Sequence, residues 1–314
     1  MKALVTGGAG FIGSSVVREL LSNGHEVTVI DNLSSGYKSN IEGLDVTFVE
    51  GDILNKELVE SLCEGKDVVF HLAASVGRQR SIDNPVLDAQ INLIGTTNIL
   101  EGIRKHKVKR IVYSSSAAIF GELKSTVIDE GHPQDADCPY GVTKLAAEKQ
   151  ILAYSGLFNF TAVCLRYFNV FGVRQRFDAY GNVIPIFANN AYKGIPLKIF
   201  GDGEQTRDFI CASDVAKINY LAGTKQGLQT CVINLGSGIT ITINELAKMI
   251  KEYTKTNSPI EYLPERIGDV KHCKAEISRL KRLLGYTPSV DFKGDLIKYL
   301  EWFKEDMNKW WELQ

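Results

Sequence analysis

Tyr140 and Lys144 stand four residues apart in the run Pro139-Tyr140-Gly141-Val142-Thr143-Lys144. Proline suits the first turn of a helix, and residues i and i+4 of a helix share one face. An ammonium about 4 Å from a phenol, at an effective dielectric of about 20, favours the phenolate by about 4 kcal/mol, or roughly three pKa units. A tyrosine so placed is a candidate general base near neutral pH. Upstream, the apolar run Ile111-Val112-Tyr113 ends in Ser114-Ser115-Ser116. A serine at the end of a strand can hydrogen-bond a reacting hydroxyl and orient its proton.

A second group of residues is suited to phosphate. The first apolar run leads into Thr6-Gly7-Gly8-Ala9-Gly10-Phe11-Ile12-Gly13. One glycine lets the backbone turn sharply, another lets a pyrophosphate approach, and the last lets the following helix pack close. The N–H groups at the start of that helix then face the anion. Asp31 ends the second apolar run, 18 residues past Gly13. An acid at that place binds an adenosine ribose and repels a 2′-phosphate, and no Arg or Lys occupies positions 32–36. The expected cofactor is therefore NAD rather than NADP. Asp52, after the third run, and Ala73-Ala74, after the fourth, are placed to line the adenine and the central phosphates.

The elements that must hold these groups alternate. Strands are predicted at 3–6, 26–30, 45–50, 68–71, 110–114 and 161–166, and helices at 11–22, 56–63, 87–106 and 140–154. That rhythm implies right-handed βαβ crossovers and a doubly wound parallel sheet of Rossmann type. After Arg166 the rhythm breaks into a Gly-, Asn-, Arg- and aromatic-rich stretch. Helices follow at 184–193, 213–223, 243–253 and 296–310, with one strand at 231–235. The expected organisation is an NAD-binding domain at 1–166 with a return segment near 209–235. A smaller mixed α/β substrate domain comprises 167–208 and 236–314.

Composition sets outer bounds. The chain has 314 residues, 44% of them hydrophobic and 23% charged, so disorder is excluded. Its 36 basic and 37 acidic residues nearly cancel, which argues against a dedicated nucleic-acid binder. The six cysteines form no CxxC pair, and no run reaches the roughly 18 apolar residues of a membrane span. No secretory leader is visible before the glycine cluster. The expectation is a reduced, cytoplasmic protein, with no metal site and no membrane or nucleic-acid partner.

The motifs resemble those of the extended short-chain dehydrogenase/reductases, specifically their nucleotide-sugar epimerase/dehydratase group. TGGAGFIG (6–13), DNLSSG (31–36), GD (51–52), HLAA (71–74), SSSAAIFG (114–121), PYGVTK (139–144), RYFNVFG (166–172), RDFI (207–210) and RIGD (266–269) follow that pattern in order. The resemblance implies a catalytic trio of Ser116, Tyr140 and Lys144, with Ser115 in reserve if the register slips by one. It implies cofactor contacts from Gly7, Gly10, Phe11, Ile12, Gly13, Asp31 and Asn32. Asp52, Ile53, Leu72, Ala73, Ala74, Tyr140 and Lys144 complete that set. It implies a UDP-sugar held by Ser116, Tyr140, Asn169, Arg174, Arg207, Arg266, Asp269 and Cys273. Arg176, Arg78 and Arg80 are further basic residues within reach of such a ligand or of solvent. The helices at 87–106 and 140–154 are the pair that relatives use to form a homodimer.

Two positions narrow the chemistry. Dehydratases and decarboxylases of this group carry acids just after the catalytic hydroxyl residue; here Ala117 and Ala118 stand there. Methyl groups do no acid–base work, so a plain 4-epimerase is expected. Cys273 lies four residues after Asp269, where a tyrosine resembles the glucose/galactose type and a small residue resembles types that admit an N-acetyl group. UDP-N-acetylglucosamine and UDP-N-acetylgalactosamine are therefore the expected pair, with UDP-glucose and UDP-galactose beside them. The alternatives are a UDP-glucuronate 4-epimerase, a nucleotide-sugar 4-ketoreductase, or a non-catalytic NAD-binding sensor.

Overall fold

A computed structural model describes residues 1–178, 181–265 and 270–311. Seven strands form the main sheet. They include β1 (Lys2–Thr6), β2 (Glu26–Asp31), β3 (Thr47–Glu50), β4 (Val68–His71) and β5 (Arg110–Ser116). The Thr161–Tyr167 and Cys231–Leu235 strands complete it, in the order 231–235, 161–167, β5, β4, β1, β2, β3. Every pairing is parallel. The order reverses at β1, with β2 on one side and β4 on the other, which places a ligand crevice at the C-terminal ends of these two strands.

Both faces of the sheet are buried, so its strands read as nearly continuous apolar runs. Side chains alternate between two cores. Ala3 and Val5 face a core shared with α1 (Phe11–Ser22), including Val16, Val17 and Leu20. Leu4 faces the other core, with α2 (Lys56–Cys63) contributing Val59 and Cys63. Asn55 caps α2, its side chain accepting from the Leu58 amide at 3.0 Å.

The structure corrects one long prediction. The stretch read as a single helix over 87–106 is three elements. It follows α3 (Arg78–Asp83), and comprises α4 (Pro85–Ala89), a π-helical segment (Gln90–Gly95) and α5 (Thr96–His106). Proline supplies a helix start at 85, and the π segment inserts a residue into the ladder where Asn92 turns inward. Helical periodicity alone does not distinguish that local widening. The third strand starts at Thr47 rather than 45, because residues 41–46 are taken up by turns around Gly43.

Beyond the sheet, α6 (Pro139–Phe158) carries the Tyr/Lys pair, and α7 (Val183–Lys193) begins a second body. The segment 212–235 returns to the sheet: α8 (Ala212–Thr224) packs on α1, and the 231–235 strand closes the sheet's edge. A third core joins α7 to α9 (Ile243–Thr254) and α11 (Phe292–Trp311) through Phe187, Leu246, Ile250, Tyr299 and Phe303. A capping box between Thr242 and Glu245 starts α9. Between them lies α10 (Ser278–Leu284), whose Leu280 and Leu284 pack into the core against the sheet. No helix among the described residues is long and apolar enough to cross a membrane.

Candidate active site

The glycine loop turns directly above β1. Gly7 has φ of +69°, and a Cβ there would meet the Ala73 amide nitrogen at 2.7 Å. This contact locks the loop after β1 against the one after β4. At Gly13 a Cβ would meet the Gly7 carbonyl oxygen at 2.0 Å, so only glycine lets α1 start this close to the sheet. Gly10, by contrast, has only that carbonyl within 4 Å, at 3.1 Å, and leaves one side open. No side chain caps α1, and its first turn holds no acid. Its leading amides are thus available to an anion.

Asp31 is buried and accepts from the amides of Ala9 and Leu33, each at 2.9 Å, with Gly10 as a further backbone donor. A carboxylate has about four acceptor positions, so one remains for a ribose hydroxyl. Burial raises its pKa, and these amides oppose the rise. Asn32 donates to Asp52 at 2.8 Å, and Asp52 also accepts from the Leu54 amide. Ile53 packs on Gly95 of the π segment. The Leu72 amide bonds the Thr6 carbonyl and the Ala73 amide bonds the Thr6 hydroxyl, with Ala74 following. The open glycine, the uncapped helix and the residual acceptor fit NAD. Gly7, Gly10, Phe11, Ile12, Gly13, Asp31 and their neighbours would hold it.

The catalytic candidates meet at the end of β5. The Ser116 hydroxyl lies close to the Tyr140 phenol and favours its charged form, and it accepts from the Ala118 amide at 3.1 Å. Ser115 points elsewhere, donating to Glu148 at 2.6 Å, so Ser116 is the serine that faces the tyrosine. A Cβ on Gly141 would meet the Ala118 carbonyl oxygen at 2.4 Å. Glycine there lets α6 approach closely enough to bring Tyr140 to Ser116.

The electrostatics correct the expectation from spacing. Tyr140 is not drawn toward neutrality. Burial pushes it up to about 12, with Ser116 opposing. The cost of burial falls equally on Lys144, which is 2% exposed and brought down to about 7. Desolvation of both charged forms outweighs the attraction argued from a solvated pair. A carboxylate that sequence reading passed over, Asp88, favours the charged lysine. Asp88 accepts from the Thr143 hydroxyl at 2.6 Å and from the Asn92 amide group at 3.1 Å. Asn92 in turn clamps both backbone groups of Ser75. The signal available was spacing: Asp88 and Asn92 sit at i and i+4, and Thr143 adjoins Lys144.

The hydrogen bonds of His71 define a structural role for it. The Thr6 hydroxyl donates to Nδ1 at 2.7 Å, Nε2–H donates to Thr96 at 2.9 Å, and Thr96 donates to the Asn92 carbonyl at 2.6 Å. Burial, reinforced by Lys144, holds the ring neutral, down to about 3. This chain ties the glycine loop to the π segment.

The segments that follow the 161–167 strand supply the remaining candidates. The Asn169 side chain donates to the Asp208 carbonyl at 3.1 Å. Arg207 donates to the Thr206 carbonyl at 3.0 Å. Cys273 lies near Arg207, and burial pushes its thiol up to about 11 while that guanidinium opposes the rise. Buried Asp208 accepts from Ser237, Gly238 and Ala275 and so fixes the chain around both. Arg174 instead lies on α1, donating to Ser14 at 3.1 Å and Ser15 at 3.0 Å. Arg176 pairs with Asp306, Arg78 with Asp137 and Arg80 with Asp178. Arg266 and Asp269 lie outside the described residues. Among those described, no group of three or more His, Cys, Asp or Glu could hold a metal ion.

Residues 3–236 match the model of the NAD dependent epimerase/dehydratase family. The chain belongs to that family. Its cofactor is NAD, and it is an enzyme. A UDP-glucose 4-epimerase of Thermotoga maritima, solved with UDP-glucose, is 36% identical with a TM-score of 0.93 over 98% of this chain and 100% of that one. A UDP-N-acetylglucosamine 4-epimerase of Methanobrevibacter ruminantium, in complex with UDP-N-acetylmuramic acid, is 35% identical with a TM-score of 0.92 over 98% and 99%. A UDP-glucose 4-epimerase of Thermus thermophilus, in complex with NAD, is 33% identical with a TM-score of 0.88 over 97% and 99%. The Ser116–Tyr140–Lys144 arrangement and the glycine loop of this family member lie together at one end of its sheet.

Proposed function

We propose that this enzyme reversibly inverts carbon 4 of a UDP-hexose, with UDP-N-acetylglucosamine and UDP-N-acetylgalactosamine as the main pair. The observation that carries this reading is Ser116 beside Tyr140, with buried Lys144 one turn along the same helix and Ala117 and Ala118 where an eliminating acid would stand. NAD, when bound, supplies reversible hydride transfer. Ser116 orients the 4-hydroxyl. Tyr140, a phenol in the ligand-free protein, acts once the positive charges of Lys144 and the bound cofactor favour its phenolate, accepting that proton and later returning it. Lys144 favours the phenolate when charged. With no second acid beside Ser116, the 4-keto sugar neither eliminates water nor loses carbon dioxide, and turning it over exposes its other face. Arg207, with Arg266 and Asp269 from outside the described residues, would anchor the diphosphate and ribose during that turn.

Cys273 beside Arg207 supports room for an N-acetyl group. The test is chromatographic separation of UDP-N-acetylglucosamine and UDP-glucose reaction mixtures with purified enzyme and NAD. UDP-N-acetylgalactosamine formed from the first, and lost selectively in Cys273→Tyr, supports the reading. UDP-galactose as the sole product refutes the wide pocket, and conversion of neither refutes the proposed substrate pair. We further propose a homodimer through the α4–α6 region, where Val86, Leu87, Ile94 and Val142 are exposed. Sedimentation showing only monomer at micromolar concentration would refute it.

A further inference from the structure

Lys144 is surrounded on every packed element, and most of its neighbours are already committed. Glu148, one turn along α6, is held by Arg166 through bonds of 2.6 and 3.1 Å and by Ser115. His71 of β4 is neutral. Cys164, on the 161–167 strand, is fully buried and its thiol is pushed up by that burial. Asp88 of α4 is engaged by Thr143 and Asn92. Tyr140 shares the lysine's own helix and lies close to Ser116. What lies directly under the ammonium is the Tyr113 ring of β5, with Nζ 4.5 Å from its centroid.

Tyr113 has a second distinctive feature. It is 1% exposed, and its hydroxyl has no hydrogen-bond partner. The contact with Lys144 is made by the ring face, not by the hydroxyl. The face of the ring attracts a cation, and more strongly where water is excluded.

We propose that Tyr113 is a positioning residue for the reaction: its ring face seats the Lys144 ammonium and keeps it charged beneath Tyr140. The proposal rests on the reading of Tyr140 and Lys144 as the working pair. It adds a role for the aromatic face that ends the apolar run before the serine cluster. The phenol of Tyr113 takes no part in proton transfer.

The experiment separates ring from hydroxyl. Protein labelled with 13C-lysine is titrated by NMR, with Lys144→Met to assign the signal. In Tyr113→Leu the Lys144 midpoint falls by about one pH unit or more, the strength of a desolvated cation–π contact. In Tyr113→Phe it moves by less than about 0.3 unit, since the ring stays. From a starting midpoint of about 7, a fall of one unit cuts the charged fraction at pH 7 about fivefold. The leucine variant should lose kcat by that factor with KM within about twofold, and lose nothing further in a Lys144→Met background. If leucine does not yield folded protein, Tyr113→Met fills the space without a π face and gives the same comparison. An unmoved midpoint in the leucine or methionine variant overturns the proposal, as does an equal shift in the phenylalanine variant. The titration needs no sugar nucleotide. A wild type that fails to epimerise would remove the proposed function and leave this result standing.

Discussion

Replacing Lys144 with methionine should stabilise the fold while abolishing turnover, and the gain should depend on pH. The lysine falls from 10.5 to about 7 on folding, with burial the largest cause and Asp88 opposing it. The unfolded chain thus binds the proton more tightly, and stability rises with pH wherever the unfolded state holds more protons. Below about pH 7 both states are protonated, and the whole gap of about 3.5 pH units opposes folding. At about 1.4 kcal/mol per unit, this is about 5 kcal/mol. By pH 9 the folded lysine is neutral and only about 2 kcal/mol of the penalty remains. Wild type should therefore gain about 3 kcal/mol from this group between pH 6 and pH 9, and Lys144→Met should lack that slope. Urea denaturation of nucleotide-free protein at the two pH values measures the difference. A variant destabilised equally at both, with the wild-type slope intact, would refute the account of Lys144 as a desolvated cation.

Tyr140→Phe should leave UDP-sugar binding by calorimetry nearly unchanged and lower kcat by at least a hundredfold, the usual scale for a lost acid–base group; normal turnover would remove Tyr140 from the chemistry. Gly13→Ala places a Cβ 2.0 Å from the Gly7 carbonyl and should cost NAD affinity sharply, whereas Gly24→Ala, with nothing within 4 Å, should cost only its positive-φ strain. NAD titration compares the two, and equal affinities would contradict the close-packing role of Gly13. Glu148→Leu leaves the buried Arg166 without its carboxylate partner, at a cost of about 3–5 kcal/mol and a Tm lowered by about 5–8 °C. Adding Arg166→Met should recover most of that loss, and calorimetry showing no recovery would mean that the pair is not the cause.

The sheet was legible because each of its strands carries its own evidence. Ala3, Leu4 and Val5 are apolar on both faces of the sheet, and helices such as α1, α2 and α5 between the strands show a 3.6-residue period. The glycine loop was legible for a different reason, since Gly7 and Gly13 each answer a close backbone approach that no other residue permits. The break at residues 84–95 was not legible. A π segment of six residues is too short to alter the apolar period of the helices that flank it. What sets it apart is the inward turn of Asn92 onto Ser75, a contact between residues 17 positions apart. The charge balance of the site was hidden for a similar reason. Spacing places Lys144 near Tyr140 but says nothing of how much water both lose, and that loss sets the direction of both shifts. Arg174 shows the limit of reading arginines as anion clamps, because its neighbours on α1 are set by tertiary packing alone.

The burial that makes Lys144 costly also explains the polar construction around it. An apolar α6 would pack more tightly on β5, yet its inward face carries Thr143, Lys144 and Glu148. A buried ion pair rarely adds net stability over well-packed hydrophobes, so Arg166–Glu148 is better understood as a register device. Glu148 grips Ser115 and Arg166 together, and Gly141 seats the same helix on the Ala118 carbonyl. With α6 fixed at both points, Tyr140 can slide neither along β5 nor away from Ser116. The π segment fixes the other side, holding Asp88 against Thr143 through Asn92. Proton transfer demands placement within a fraction of an ångström, and rigid elements supply it better than loops. The fold thus gives up stability at a single helix face. In return it holds a phenol, a hydroxyl and an ammonium in one geometry at the mouth of the nucleotide crevice.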